Sequence, residues 1–140
     1  MKILIAADGS RCTKRMLAYM AAHDELFGGH HDYTVAYVAP ALPAIAAAEI
    51  ERASIKNYHS NMTEVVFKPL RSFFAQQGLA PRFVAKIGRA GAVISDLAEK
   101  GRFDLVLMGS HGHGALTQLV LGSVVTEVLA RCKTPVLIVR

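Results

Sequence analysis

The 140-residue chain is short of cysteine, of long apolar runs and of charge blocks, and each shortage argues against a class of function. Its two cysteines, Cys12 and Cys132, lie near opposite ends of the chain without C-x-x-C spacing, so neither a dithiol redox motif nor a structural zinc site is indicated. The opening MKILIAADGS holds only a brief apolar run before Asp8, too short for a signal peptide or a membrane span, and a cytoplasmic location is expected. Sixteen basic residues against eleven acidic ones give a net charge of +5. They are scattered as singles and close pairs, such as Lys14 with Arg15 and Arg131 with Lys133, with no aromatic interleaving. Nucleic acid is therefore a poor candidate partner, while a small anion remains compatible. No repeat, low-complexity tract or linker divides the sequence, and one domain over residues 1–140 is expected.

What the chain does have is apolar runs alternating with helical patterns. Hydrophobic residues make up 52% of it, and the mean hydropathy of +0.30 suits a sheet covered on both faces. The runs at Lys2–Ala7, Tyr33–Ala39, Arg82–Ile87, Asp104–Met108 and Pro135–Val139 read as strands. Between them, Met16, Leu17, Met20 and Ala21 mark a helix that Ser10 or Thr13 caps and Gly28-Gly29 stops. Val93, Ile94, Leu97 and Ala98 mark another, and Ser123–Arg131 a last one. The stretch from Ala44 to Gln77 should be mostly helical, with a kink or break near Val65–Lys68 because Pro69 removes a backbone donor. Strands alternating with helices imply right-handed crossovers and an α/β fold with a doubly wound parallel sheet.

In such sheets ligands bind beyond the carboxyl ends of the strands. Here those ends carry Asp8-Gly9-Ser10, Val38-Ala39-Pro40, Gly88-Arg89-Ala90 and Gly109-Ser110-His111-Gly112. The last opens a glycine-rich segment that reaches Gly122-Ser123 at the start of a helix. Glycines admit close backbone approach, and a helix start offers unpaired amides at the positive end of its dipole, which together suit phosphate. A plain glycine turn with Ser123 as N-cap explains the same residues. No lysine follows Gly112, Gly114 or Gly122, so this is not a Walker loop, and no G-x-G-x-x-G follows the first strand. His111 and His113 are too few for a zinc site, and any magnesium would be held chiefly by nucleotide oxygens.

Spacing separates these readings. Gly109, two residues, Gly112, nine residues and then Gly122-Ser123 form G-x2-G-x9-G-S, which resembles the nucleotide motif of the universal stress protein family. KILIAADGS, DLVLMGSHGHG and LGSVVTEVLARCKTPVLIVR resemble that family's first strand and turn, its fourth strand and loop, and its last helix and strand. Pro40 to Gln77 matches only in length and helicity.

The resemblance implies a five-stranded parallel sheet in order 3-2-1-4-5, usually a homodimer, with ATP as ligand where the glycine motif is complete. It places Asp8 against the adenosine moiety, with Ala6 and Ala7 leaving room for the base and Val38 lying against it. It also places Met108 and Gly109 beside the ribose, and Gly112, Gly122, Ser123 and Val124 around the phosphates, with His113 in the same loop. Many members carry proline after the third-strand glycine and a basic residue between His113 and Gly122. This chain has Arg89-Ala90-Gly91 at the first place and Ala115-Leu116-Thr117-Gln118 within the second. Phosphoryl transfer usually draws on lysine, arginine or metal. The expectation is an ATP-binding stress-response module, at most a slow ATPase, which pairs through its apolar C-terminal strand. The alternative is a nucleotide-free interaction protein of the same fold.

Overall fold

The computed structural model describes residues 1–113 and 120–140. Five parallel strands form one sheet in the order β3-β2-β1-β4-β5. They are β1 (Lys2–Ala6), β2 (Asp32–Ala39), β3 (Arg82–Ile87), β4 (Leu105–Gly109) and β5 (Val136–Val139). The helices are α1 (Arg11–Ala22), α2 (Asp24–Phe27), α3 (Ala44–Glu49), α4 (Arg52–Gln76), α5 (Ala90–Lys100) and α6 (Ser123–Arg131). All five sequence-predicted strands lie where the apolar runs put them. No helix among the described residues is long and apolar enough to cross a membrane.

The middle strand shows why the sequence folds this way. Ile3, Leu4 and Ile5 are all fully buried, Ile3 and Ile5 beneath α1 and α4 and Leu4 beneath α5 and α6. A strand covered on both faces needs a continuous apolar run, not an alternating one, and each such side chain contributes about 1.5–3 kcal/mol by leaving water. Met16, Leu17 and Met20 of α1 and Val66, Phe67, Leu70 and Phe74 of α4 complete one core, while Ile94, Ala98, Val125 and Val128 complete the other. The register pairs Ala6 with both Ala36 and Met108, so the chain leaves β1 and β4 at one level, side by side. That level is the floor of the candidate site.

The expected break near Val65–Lys68 does not occur. α4 runs unbroken through Pro69, and the interruption falls earlier, at Ile50-Glu51 between α3 and α4. Pro69 is exposed and Val65 is 72% exposed, so the carbonyl that loses its helical donor lies on the water side. Val66, Phe67 and Leu70 meanwhile hold both flanks of the proline in the core. The missing bond still has a cost. Pro69→Ala should raise the unfolding free energy by about 1–2 kcal/mol, read from urea denaturation, with no change in helix content.

Candidate functional site

The turn after β1 is built on Asp8. Gly9 takes a φ of +77°, which glycine adopts without strain, and the chain reverses into α1. Asp8 Oδ1 accepts from the Ser10 amide and the Thr13 hydroxyl, both at 2.9 Å, while the Asp8 amide donates to Thr13 Oγ1 at 3.2 Å. Ser10 is the N-cap, its Oγ accepting from the Thr13 amide at 3.4 Å. Ser10 and Thr13, alternatives for one role in the sequence, thus act together. The other carboxylate oxygen faces the β4 loop: a Cβ on Gly112 would stand 2.7 Å from Asp8 Oδ2.

The β4 end approaches α1 just as closely. A Cβ on Gly109 would lie 2.6 Å from Cys12 Cβ and 2.9 Å from its carbonyl carbon, so this glycine is required by helix packing whatever it does for a ligand. Ser110, 3% exposed, donates its amide to Val139 at 2.9 Å and shares a 2.9 Å hydrogen bond with His111 Nδ1. Its carbonyl accepts from the Gly122 amide at 2.8 Å, which ties the two ends of the loop together. His113 reaches across to β1, its Nε2 donating to the Asp8 carbonyl at 2.7 Å. The spacer residues Ala115 to Gln118 lie outside the described residues.

At α6 the structure corrects the expected cap. Gly122, with φ −72° and ψ 164°, is the N-cap, and its carbonyl accepts from the Thr126 amide at 3.0 Å and the Thr126 hydroxyl at 2.9 Å. A side chain at this position would stand 3.2 Å from both His111 Cα and Ser110 O, a tight contact that favours glycine as the cap, and Ser123 falls one place into the helix. Ser123 is exposed, and no side chain caps α6. No acidic residue occupies its first turn either, so among the described residues no side-chain charge of that turn offsets the positive end of the helix dipole.

Not every expected residue offers a side chain. Met108 is 3% exposed and Val38 packs with it in the core beneath α5 and α6, while Ala7 is buried on the opposite face. Val124 packs at the rim of the same core as Met108. Arg89 is drawn away from the loop, its Nε 3.1 Å from Glu127 Oε2 on α6. Among the described residues no group of three His, Cys, Asp or Glu side chains could hold a metal ion. The sequence reading took Thr13 as a cap but missed its bond to Asp8, and it missed the approach of Cys12 to Ser110 between α1 and β4. The S-x-x-T spacing of a reciprocal cap marked Thr13, but nothing local marks a contact between α1 and β4.

The fold has counterparts among known proteins. The model of the universal stress protein family matches residues 1–140. The chain belongs to the universal stress protein family. A universal stress protein of Synechocystis, Sll1654, is 36% identical over 69 residues, covering 49% of this chain and 44% of that protein. The chain thus spans less than half the length of that curated relative in the matched region. Among solved structures, MJ0577 of Methanocaldococcus jannaschii superposes with a TM-score of 0.76 at 25% identity, covering 99% of this chain and 94% of that one. An AMP-bound universal stress protein family protein of Arabidopsis thaliana superposes at 0.71 with 14% identity, covering 99% and 90%.

The contact between Gly109 and α1 makes a direct prediction for this universal stress protein. Gly109→Ala should cost about 1–3 kcal/mol of stability, measured by urea denaturation, because the added methyl meets Cys12 backbone that cannot step aside.

Proposed function

We propose that the chain binds an adenine nucleotide, ATP with magnesium, over the carboxyl ends of β1, β2 and β4, and acts as a nucleotide-dependent regulatory module. One observation carries the reading: the bond from Gly122 to Ser110 holds the uncapped start of α6 beside Gly112 and the outward oxygen of Asp8. Asp8 Oδ2 accepts from a ribose hydroxyl. The first amides of α6, with Ser123 Oγ, donate to phosphate oxygens. Gly112 and Gly122 keep the approach open, and His113 moves off the Asp8 carbonyl or stays as a wall beside the ribose. Magnesium, when bound with the nucleotide, neutralises phosphate charge. Solved relatives carrying AMP, dAMP and cAMP support the ligand class.

The same groups argue for binding over turnover. The spacer contributes alanine, leucine, threonine and glutamine where a cation would stabilise a departing phosphoryl group. Arg89 is already paired with Glu127. Hydrolysis is slow at most, and the module works in the cytoplasm through a nucleotide-dependent dimer. The edge strand β5, half-buried along its length, supplies the pairing surface.

A second reading has its own support. Packing against Cys12 requires Gly109, and the close approach of Ser110 and His111 favours glycine at 122, so the motif has a structural reason to exist without a ligand. A nucleotide-free interaction protein would use the same fold through its dimer surface.

Calorimetric titration with ATP, ADP and AMP separates the two. Ser123→Ala should weaken nucleotide binding about tenfold by removing a hydrogen bond to a charged group, and Gly122→Leu should abolish it with secondary structure retained. Wild-type affinity in both variants would overturn the site, and no heat with any nucleotide would favour the second reading. Size-exclusion chromatography should give twice the 15.1 kDa chain mass, and a monomer would contradict pairing through β5.

A further inference from the structure

Away from the strand ends, a groove of about 590 Å³ opens between α5 and β3. Its floor is apolar, with Leu4, Val84 and Leu97, and cations surround it: Lys2, Arg82, Lys86 and Lys100, against Asp96 alone. Two of these cations are engaged. Lys2 Nζ donates to the Gly101 carbonyl and stands 5.0 Å from the centre of the Phe103 ring, while Lys100 pairs with Asp96 at 2.9 Å. Arg82 and Lys86 have no ion-pair partner among the described residues, and both are exposed.

The groove exists because the two faces of β3 are covered unequally. On the α4 face Phe83 packs against Phe67 and Phe74, with ring centres 5.0 and 6.4 Å apart. On the other face no β3 residue joins the core that α5 and α6 cover. Arg82, Val84 and Lys86 alternate along that uncovered face, the two cations about 13 Å apart at 3.3 Å per residue. β3 is also an end of the sheet, and among the described residues no strand neighbours its outer backbone edge. The trough has α5 as one wall, and beyond β3 it has none.

We propose that this edge takes up an extended acidic segment of a partner protein, which adds beside β3 as a sixth strand. Backbone groups pair along the edge, and alternate side chains in the order acidic, apolar, acidic meet Arg82, Val84 and Lys86. The missing wall favours a polypeptide over an enclosed small molecule, which would need most of its surface buried. Charge argues against a second copy of this chain, since antiparallel pairing of β3 with itself sets Arg82 against Lys86, like charge facing like. The apolar strip between the cations argues against a nucleic acid backbone, which offers phosphates without an apolar group between them. The edge is distinct from the nucleotide site, so the proposal stands independently of it.

The test uses the full chain and a fluorescent synthetic peptide that carries Asp-Val-Asp at alternate positions on one face and threonine on the other. Fluorescence anisotropy should show saturable binding that weakens with salt and drops at least about tenfold in the Arg82→Glu/Lys86→Glu variant. Hydrogen exchange at residues 82–87 should slow when the peptide binds. Both substitutions are at exposed positions, and an unchanged unfolding midpoint certifies the variant's fold. Any of four results overturns the proposal: no saturable binding, equal affinity in the charge-reversed variant, equal affinity for a scrambled peptide with its acidic residues adjacent, or unaltered exchange at β3. Equal binding of an oligothymidylate of matched charge would also overturn it, marking the strip as a general polyanion surface.

Discussion

The hydrogen bond from the Gly122 amide to the Ser110 carbonyl is the constraint on which the rest of the site depends. It closes the loop between β4 and α6 at its base, so the start of α6 is fixed over the end of β4 by a local bond. The bond favours a residue without a side chain, because a Cβ would stand only 3.2 Å from His111 Cα and Ser110 O. Once Gly122 is the cap, Ser123 falls inside the helix with its hydroxyl released from capping. Val125 and Val128 then bury the helix against the sheet, and β5 returns to accept the Ser110 amide at Val139. Cap, helix placement and strand pairing thus form one connected arrangement.

The two carboxylate oxygens of Asp8 face different ways. One carboxylate oxygen holds the turn and the start of α1 through Ser10 and Thr13, and the other faces Gly112. The first fixes the direction of the second. The glycines divide in a similar way: Gly109 admits α1, Gly112 admits the Asp8 carboxylate, and Gly122 admits the β4 loop. Favourable charge at the α6 start is therefore dipolar, from backbone amides, and the nearest arginine of the α5 entry is held by a glutamate. A site of that kind attracts an anion without supplying the mobile cation that phosphoryl transfer demands.

The sheet ends differ in chemistry as well as in position. β5 presents a short apolar edge, and β3 a basic one with a single covered face. Like charge discourages β3 from pairing with its own copy, while β5 carries no such barrier within Val136–Val139.

The sequence by itself determined the strands, their alternation with helices and the family, because burial on both faces of a parallel sheet demands apolar runs and the glycine spacing resembles that of the family. Through the family resemblance it also pointed to Asp8, Gly112, Gly122 and Ser123 together, and the structure brings Asp8 and Gly122 close to Gly112. It misplaced the break in the long helix, since a proline is read from the pattern but its exposure is not: Pro69 faces water, and the helix passes through it. It gave Ser123 the cap, since serine is the better capping residue in isolation, whereas the structure caps the helix with Gly122, packed closely against His111 and Ser110. The approach of Cys12 to Gly109, the release of Asp8 Oδ2 towards Gly112, the capture of Arg89 by Glu127 and the uncovered face of β3 were decided by tertiary structure alone. Each depends on distances between segments remote in sequence, which periodicity and propensity do not encode.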